Sequence, residues 1–301
     1  MNLSTSLLTT LKKFTQQYPR TTKAGKLILK ILLTGLALGI VSTHVNWTYT
    51  WQLVKQVPWY TLLGGWLLYN LSKVLSAWRL WRILKVEEIY VSPLFNLKLY
   101  YQGMFYNLFL PGGVGGDGYK TIILHRLANK PLRNTVAALI LDRISGVVAI
   151  LLLAACFALL LQGKLPNTLH PCSLDIVNGT GARLVCATKL VFQKSISEFF
   201  PLLLLSGAMQ LVQVLQAWLL LAFLNVEQGW FAYGLVFLLS SLATLLPITI
   251  GGIGARELVF VFAAHHLGIS QDAAIAFSIL FFIINVLSSV PGVFLKTDGT
   301  H

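Results

Sequence analysis

Between Leu110 and Lys120 the chain reads Leu-Pro-Gly-Gly-Val-Gly-Gly-Asp-Gly-Tyr-Lys, placing five glycines and a proline inside an otherwise hydrocarbon-rich region. No helix crosses lipid through such a break unaided, because the freed backbone groups need partners that hydrocarbon does not offer. A related break spans Leu246 to Glu257, reading Leu-Pro-Ile-Thr-Ile-Gly-Gly-Ile-Gly-Ala-Arg-Glu. Both carry Leu-Pro, then Gly-Gly-(Val/Ile)-Gly, then an acid two or three residues on. The expectation is that the two breaks line a site and the remaining helices hold them.

The surroundings of the breaks define the fold class. Hydrophobic residues make up 56% of the 301 and charged residues only 11%, against about 25% charged in an ordinary soluble domain. Mean hydropathy is +0.72. This composition predicts an all-α polytopic integral membrane protein. About six to eight transmembrane segments are expected, one or two of them re-entrant, glycine-broken half-helix elements.

A net charge of +13 brings nucleic acid to mind, but the placement of the charge excludes it. Lys12, Lys13, Arg20, Lys23, Lys26 and Lys30 precede or open the first apolar run; Lys73, Arg79, Arg82 and Lys85 follow the second. Lys120, Arg126, Lys130 and Arg133 follow the first break. Clusters at helix ends follow the positive-inside pattern and suit anionic headgroups, and no basic stripe stands clear of the membrane. Residues 1–26 therefore read as a basic cytoplasmic arm on a multi-pass protein of the cytoplasmic (inner) membrane. Residues 27–295 form the transmembrane domain and 296–301 a short tail.

Within that domain the expected spans are 27–45, 59–77, 135–161, 199–224 and 273–295. His44, Asn46, Trp47, Tyr49 and Trp51 form an interfacial aromatic belt after the first. Residues 89–110 have basic clusters on both sides, so an even number of crossings is required there, and a re-entrant hairpin around the first break meets it. Residues 230–246 either cross, placing the two breaks on opposite faces as an inverted repeat, or dip and return. The polar stretch 162–197 is read as an extracytoplasmic loop in which Cys172 and Cys186 are placed for a disulfide. Cys156 is expected to pack as a small hydrophobe.

Candidate chemistry is non-covalent. Gly113 to Gly118 formally satisfies a dinucleotide fingerprint, but no strand precedes it, and Tyr119 spoils a phosphate loop by separating Gly118 from Lys120. The histidines lack partners at ligand spacing, so neither a metal nor another cofactor is implied, and no nucleophile arrangement marks an enzyme. Helices restarting after each break instead offer free N–H groups and a positive dipole end to an anion. The alternative role for these glycines is close helix packing. Asp142 and Arg143 lie about two turns into their span and point about 100° apart, so each needs a partner on another segment. Arg143 is open to a lipid phosphate or to Glu257, and Asp142 to Arg256. Arg256, unfavourable in a first helical turn unless paired with an anion, is the more informative residue of the second break. Gln210, Gln213 and Gln216 share one helix face, suited to a polar path or to interhelical hydrogen bonds.

These residues carry a resemblance. The runs Asn107–Asp117, Leu141–Gly146 and Gly251–Glu257, in this order, resemble the flippase-like membrane domain of the lysylphosphatidylglycerol synthase family. The resemblance implies a bacterial or archaeal membrane domain that translocates lipid. Since the chain ends at His301, it also implies a stand-alone domain without the soluble synthetase. The expected function is translocation of an anionic or aminoacylated phospholipid, or a polyprenyl-phosphate-linked lipid. The alternatives are a non-transporting subunit of a lipid-modifying glycosyltransferase and a small-solute secondary transporter. The expected headgroup site comprises Gly112, Gly113, Gly115, Gly116, Asp117, Lys120, Asp142, Arg143, Gly251, Gly252, Gly254, Arg256 and Glu257. Membrane lipids, and a lipid-modifying enzyme, are the expected partners.

Overall fold

The computed structural model describes residues 19–109, 115–128, 131–161, 196–224, 226, 229–245, 249 and 252–295. Gly112, Gly113, Gly251, Cys172 and Cys186 lie outside them, as does the 162–197 stretch except its last two residues. Every regular element among the described residues is a helix. α1 (Pro19–His44) and α2 (Trp47–Gln56) lead into the long α3 (Trp59–Val86). α4 (Pro93–Phe109) and α5 (Gly115–Ala128) flank the first break, and α6 (Leu132–Leu160) and α7 (Ile196–Leu221) follow. α8 (Trp230–Leu245) and α9 (Ala255–Leu267) flank the second break, and α10 (Gln271–Ser289) and α11 (Pro291–Phe294) end the domain.

The aromatic belt folds as α2, which leaves α1 at 89°. The corner has a local cause. Asn46 adopts an extended conformation and its side chain accepts the Tyr49 N–H, capping α2. Its own N–H donates to Asp272 on α10, 2.9 Å away, and the Thr50 hydroxyl donates to the same oxygen at 3.3 Å. Trp47, Tyr49 and Trp51 remain exposed, as residues of a membrane interface do.

Among the described residues three helices are long and apolar enough to cross a membrane, lying within α6, α7 and α10–α11; the bent α1–α2 pair makes a fourth. The larger sequence count includes α3 and the two broken pairs. α3 has the length, at 28 residues, but Lys73, Arg79 and Arg82 interrupt its apolar character. At 1.5 Å per residue, α4, α5, α8 and α9 reach only about 20 to 26 Å each, short of a ~30 Å hydrocarbon core.

Each broken pair folds back on itself. α4 packs on α5 and α8 on α9, giving two helical hairpins with the glycine breaks at their tips. A large buried apolar cluster joins α8, α9 and α10 to α6 and α7, around Phe237, Phe260 and Phe277. A smaller one joins the end of α3 to α4, α5 and α6, around Leu84, Leu99 and Leu124. Cys156 is exposed on α6 rather than packed; neighbouring Phe157 takes the interior position, stacked against Trp218 of α7.

Candidate functional site

The first hairpin is held by backbone contact. A Cβ on Gly116 would overlap the Gly103 carbonyl oxygen of α4, so glycine is required there by approach, as small residues are between membrane helices. The Gly116 N–H is taken by the Asn107 side chain at 2.9 Å. This amide is therefore an intramolecular cap and not a free anion donor. Gly118 faces open space, and Gly115 begins α5. Asp117 in the first turn of α5 bonds the Arg143 guanidinium and lies 3.8 Å from the Lys120 ammonium. Lys120 is buried against α4, its nitrogen 4.0 Å from the centre of the Tyr100 ring.

The second hairpin turns through Gly252 and Gly254, at φ of 80° and 86°, where a side chain would strain the backbone. Glu257 reaches back to the Gly254 N–H at 2.7 Å and accepts the Ser278 hydroxyl at 2.6 Å. It is thus a helix cap tied to α10, and not a partner for Arg143. Arg256 rests on the Phe281 ring at 4.2 Å, with Phe237 at 5.6 Å. Its buried Nε has no hydrogen-bond partner among the described residues.

Asp142 and Arg143 do reach different elements, as their angular separation requires, but the partners differ from those expected. Asp142 binds Arg79 of α3 at 2.8 Å and Arg143 binds Asp117 of α5. Arg79 is not part of an exposed basic flank. It is 4% exposed, donates to Ser206 of α7 at 2.9 Å, and lies against Gly146. Sequence proximity to Arg82 and Lys85 concealed this, since only packing separates a buried cation from a flanking one. The glutamine row is wholly buried. Gln213 donates to Ser72 at 3.2 Å, while the Gln210 side-chain oxygen and both Gln216 side-chain polar atoms lack partners among the described residues.

One cavity of about 340 Å³ gathers these groups. Leu108 and Asp117 of the first hairpin and Ile253 and Arg256 of the second share its wall, so the two breaks meet at one space. Five cations (Lys73, Arg79, Lys120, Arg143 and Arg256) and three carboxylates (Asp117, Asp142 and Glu257) line it. Its volume matches a headgroup rather than a whole lipid, within the ~300–1,000 Å³ of small-molecule sites. Sequence reading missed Tyr69, Lys73 and Arg79 of α3, Tyr100 of α4, and Ser278 and Asn285 of α10. The signal for α3 was present: Tyr69, Lys73, Ser76 and Arg79 recur every three or four residues, on one helix face.

No curated protein matches the chain. The model of the lysylphosphatidylglycerol synthase TM region matches residues 27–192 and 182–292, which together take in both breaks and every residue of the cavity wall. On that match the chain belongs to the lysylphosphatidylglycerol synthase TM region family.

Proposed function

We propose that this chain translocates a phosphate-bearing lipid across the cytoplasmic membrane, with the headgroup in the cavity and the acyl chains in the bilayer. The observation that carries this reading is the convergence of two glycine-broken hairpins and five cations on one space of about 340 Å³. Charges at membrane depth are expensive and mark substrate pathways. Both hairpins are too short to span hydrocarbon, which supports re-entrant tips shielded by neighbouring helices.

In this reading the basic 1–26 arm is cytoplasmic and the 162–197 loop faces outward. The Arg79–Asp142 pair on α3 and α6 holds one wall in place. Arg143 of α6, bonded to Asp117 of α5, links the first hairpin to α6, with Lys120 beside Asp117 on the same helix. Arg256 belongs to the second hairpin, so a phosphate held between Arg143 and Arg256 joins the hairpins at their tips. Movement of the hairpins relative to one another then carries the headgroup from one leaflet to the other. Since neither glycine run meets the full requirements of a nucleotide-binding motif, transport in this reading runs downhill or with an ion gradient.

The test is reconstitution into liposomes with headgroup-labelled lipids. Arg143→Ala and Arg256→Ala proteins, confirmed as folded and inserted, should move label much more slowly than the parent. Equal rates would reject the reading. Uptake of a soluble solute with no lipid movement would favour a solute transporter, and inactivity of the purified parent a non-transporting subunit.

A further inference from the structure

The three carboxylates of the cavity are all engaged. Asp142 holds Arg79, Asp117 holds Arg143 with Lys120 nearby, and Glu257 caps Gly254 and accepts from Ser278. Two cations, by contrast, have no carboxylate within ion-pair distance among the described residues. Lys73 lies over the Tyr69 ring at 4.5 Å and Arg256 over the Phe281 ring at 4.2 Å. Those rings touch edge to face, with centres 5.6 Å apart, so the two cations flank one aromatic pair. A ring face attracts a cation but does not neutralise it. Glu257 bonds only neutral donors, so its charge also stands in the wall; five basic side chains against three carboxylates still leave an excess of two positive groups, with the N–H bonds of Lys73 and Arg256 available to a ligand.

We infer that the ligand is a lipid phosphomonoester, and that the cavity discriminates against aminoacylated headgroups; this rests on the cavity being the lipid site. A phosphomonoester carries about −1.5 to −2 charge at neutral pH with three acceptor oxygens, which matches the excess of two cations. A phosphodiester headgroup neutralises only one of them. An aminoacylated phosphodiester adds one or more ammonium groups to a wall in which basic side chains already outnumber carboxylates five to three. Neutral polar groups complete the wall. The Tyr69 hydroxyl is held by Asn285 at 2.5 Å, and the Gln210 side-chain oxygen has no partner among the described residues, so its amide, once flipped, donates instead. Selection here is by charge, in a setting where each unmatched charge is costly.

Competitive lipid binding to the full chain in detergent tests this, using a long-chain prenyl monophosphate, phosphatidylglycerol, aminoacylated phosphatidylglycerol and inorganic phosphate. The prenyl monophosphate should bind about tenfold tighter than phosphatidylglycerol, with the aminoacylated lipid weakest. Lys73→Gln and Arg256→Gln should each erase most of the preference. Arg256→Lys should keep it, as should Arg82→Gln, a change at a partly exposed pair with Glu198 away from the cavity. If the aminoacylated lipid binds best and Arg256→Gln still alters that binding, the phosphomonoester assignment is overturned while the cavity stands. Unchanged binding of every lipid in both glutamine variants overturns the cavity as the site. Displacement of lipid by equimolar inorganic phosphate assigns the same chemistry to a free anion and overturns the lipid as its source.

Discussion

Gly116 and Gly118 lie two residues apart in α5 and serve different ends. A Cβ at Gly116 runs into the Gly103 carbonyl, whereas Gly118 has nothing within 4 Å of that position. Gly116→Ala should therefore lower the unfolding midpoint in detergent by the equivalent of at least ~1–3 kcal/mol, the range for overpacking. Gly118→Ala should raise it slightly, since alanine is favoured over glycine by ~1 kcal/mol in a helix interior. Arg79 makes the same point for charge. With Asp142 changed to Ala, its guanidinium is buried without its counter-ion, a loss of ~3–5 kcal/mol. An Arg79→Met, Asp142→Leu double variant should unfold at a higher temperature than Asp142→Ala, because no lone charge is left behind. Lower stability of the double variant would show that the pair stabilises the fold outright.

Among elements, the two hairpins carry the architecture, and their separate locations in sequence hide their relation. Leu108 at the end of α4 and Ile253 before α9 line the same cavity. Cysteines at these two positions, with the three native cysteines replaced by serine, should be joined by a short bismaleimide. Linkage should also slow lipid movement if the hairpins shift during transport. No crosslink at all would place the tips apart. Each hairpin is braced from outside. α11 packs on α4, with the Gln102 amide donating to the Leu295 carbonyl and Gly292 close against the Tyr101 backbone. Beneath the second tip, α1 presents Ala37 to Gly254. The first hairpin was foreseeable from its glycines and its basic flanks on both sides. The fold-back of α8 on α9 was not, because its flanks carry too little charge to decide between crossing and returning.

For the whole molecule, orientation follows the basic arm if the positive-inside pattern holds. An impermeant thiol reagent added to intact cells after reduction should then label Cys172 or Cys186 in the 162–197 stretch, and exposed Cys156 on apolar α6 should react only with a membrane-permeant one. Labelling of none of the loop thiols from outside, with labelling after permeabilisation, would invert the topology. Taken by itself, the sequence determined that this is a helical membrane protein, where its backbone must break, and which family it resembles. Those properties follow from local hydropathy, from glycine and proline, and from short motifs read in order. Only the tertiary structure decided that the breaks share a cavity, that Arg79 belongs to its wall, and that Asp142, Arg143 and Glu257 have the partners they do. Pairing of charges across helices depends on which faces meet, and a one-residue rotation of α3 or α6 turns each side chain by about 100°. Nothing in the linear order of residues specifies that rotation; close packing of the helices does.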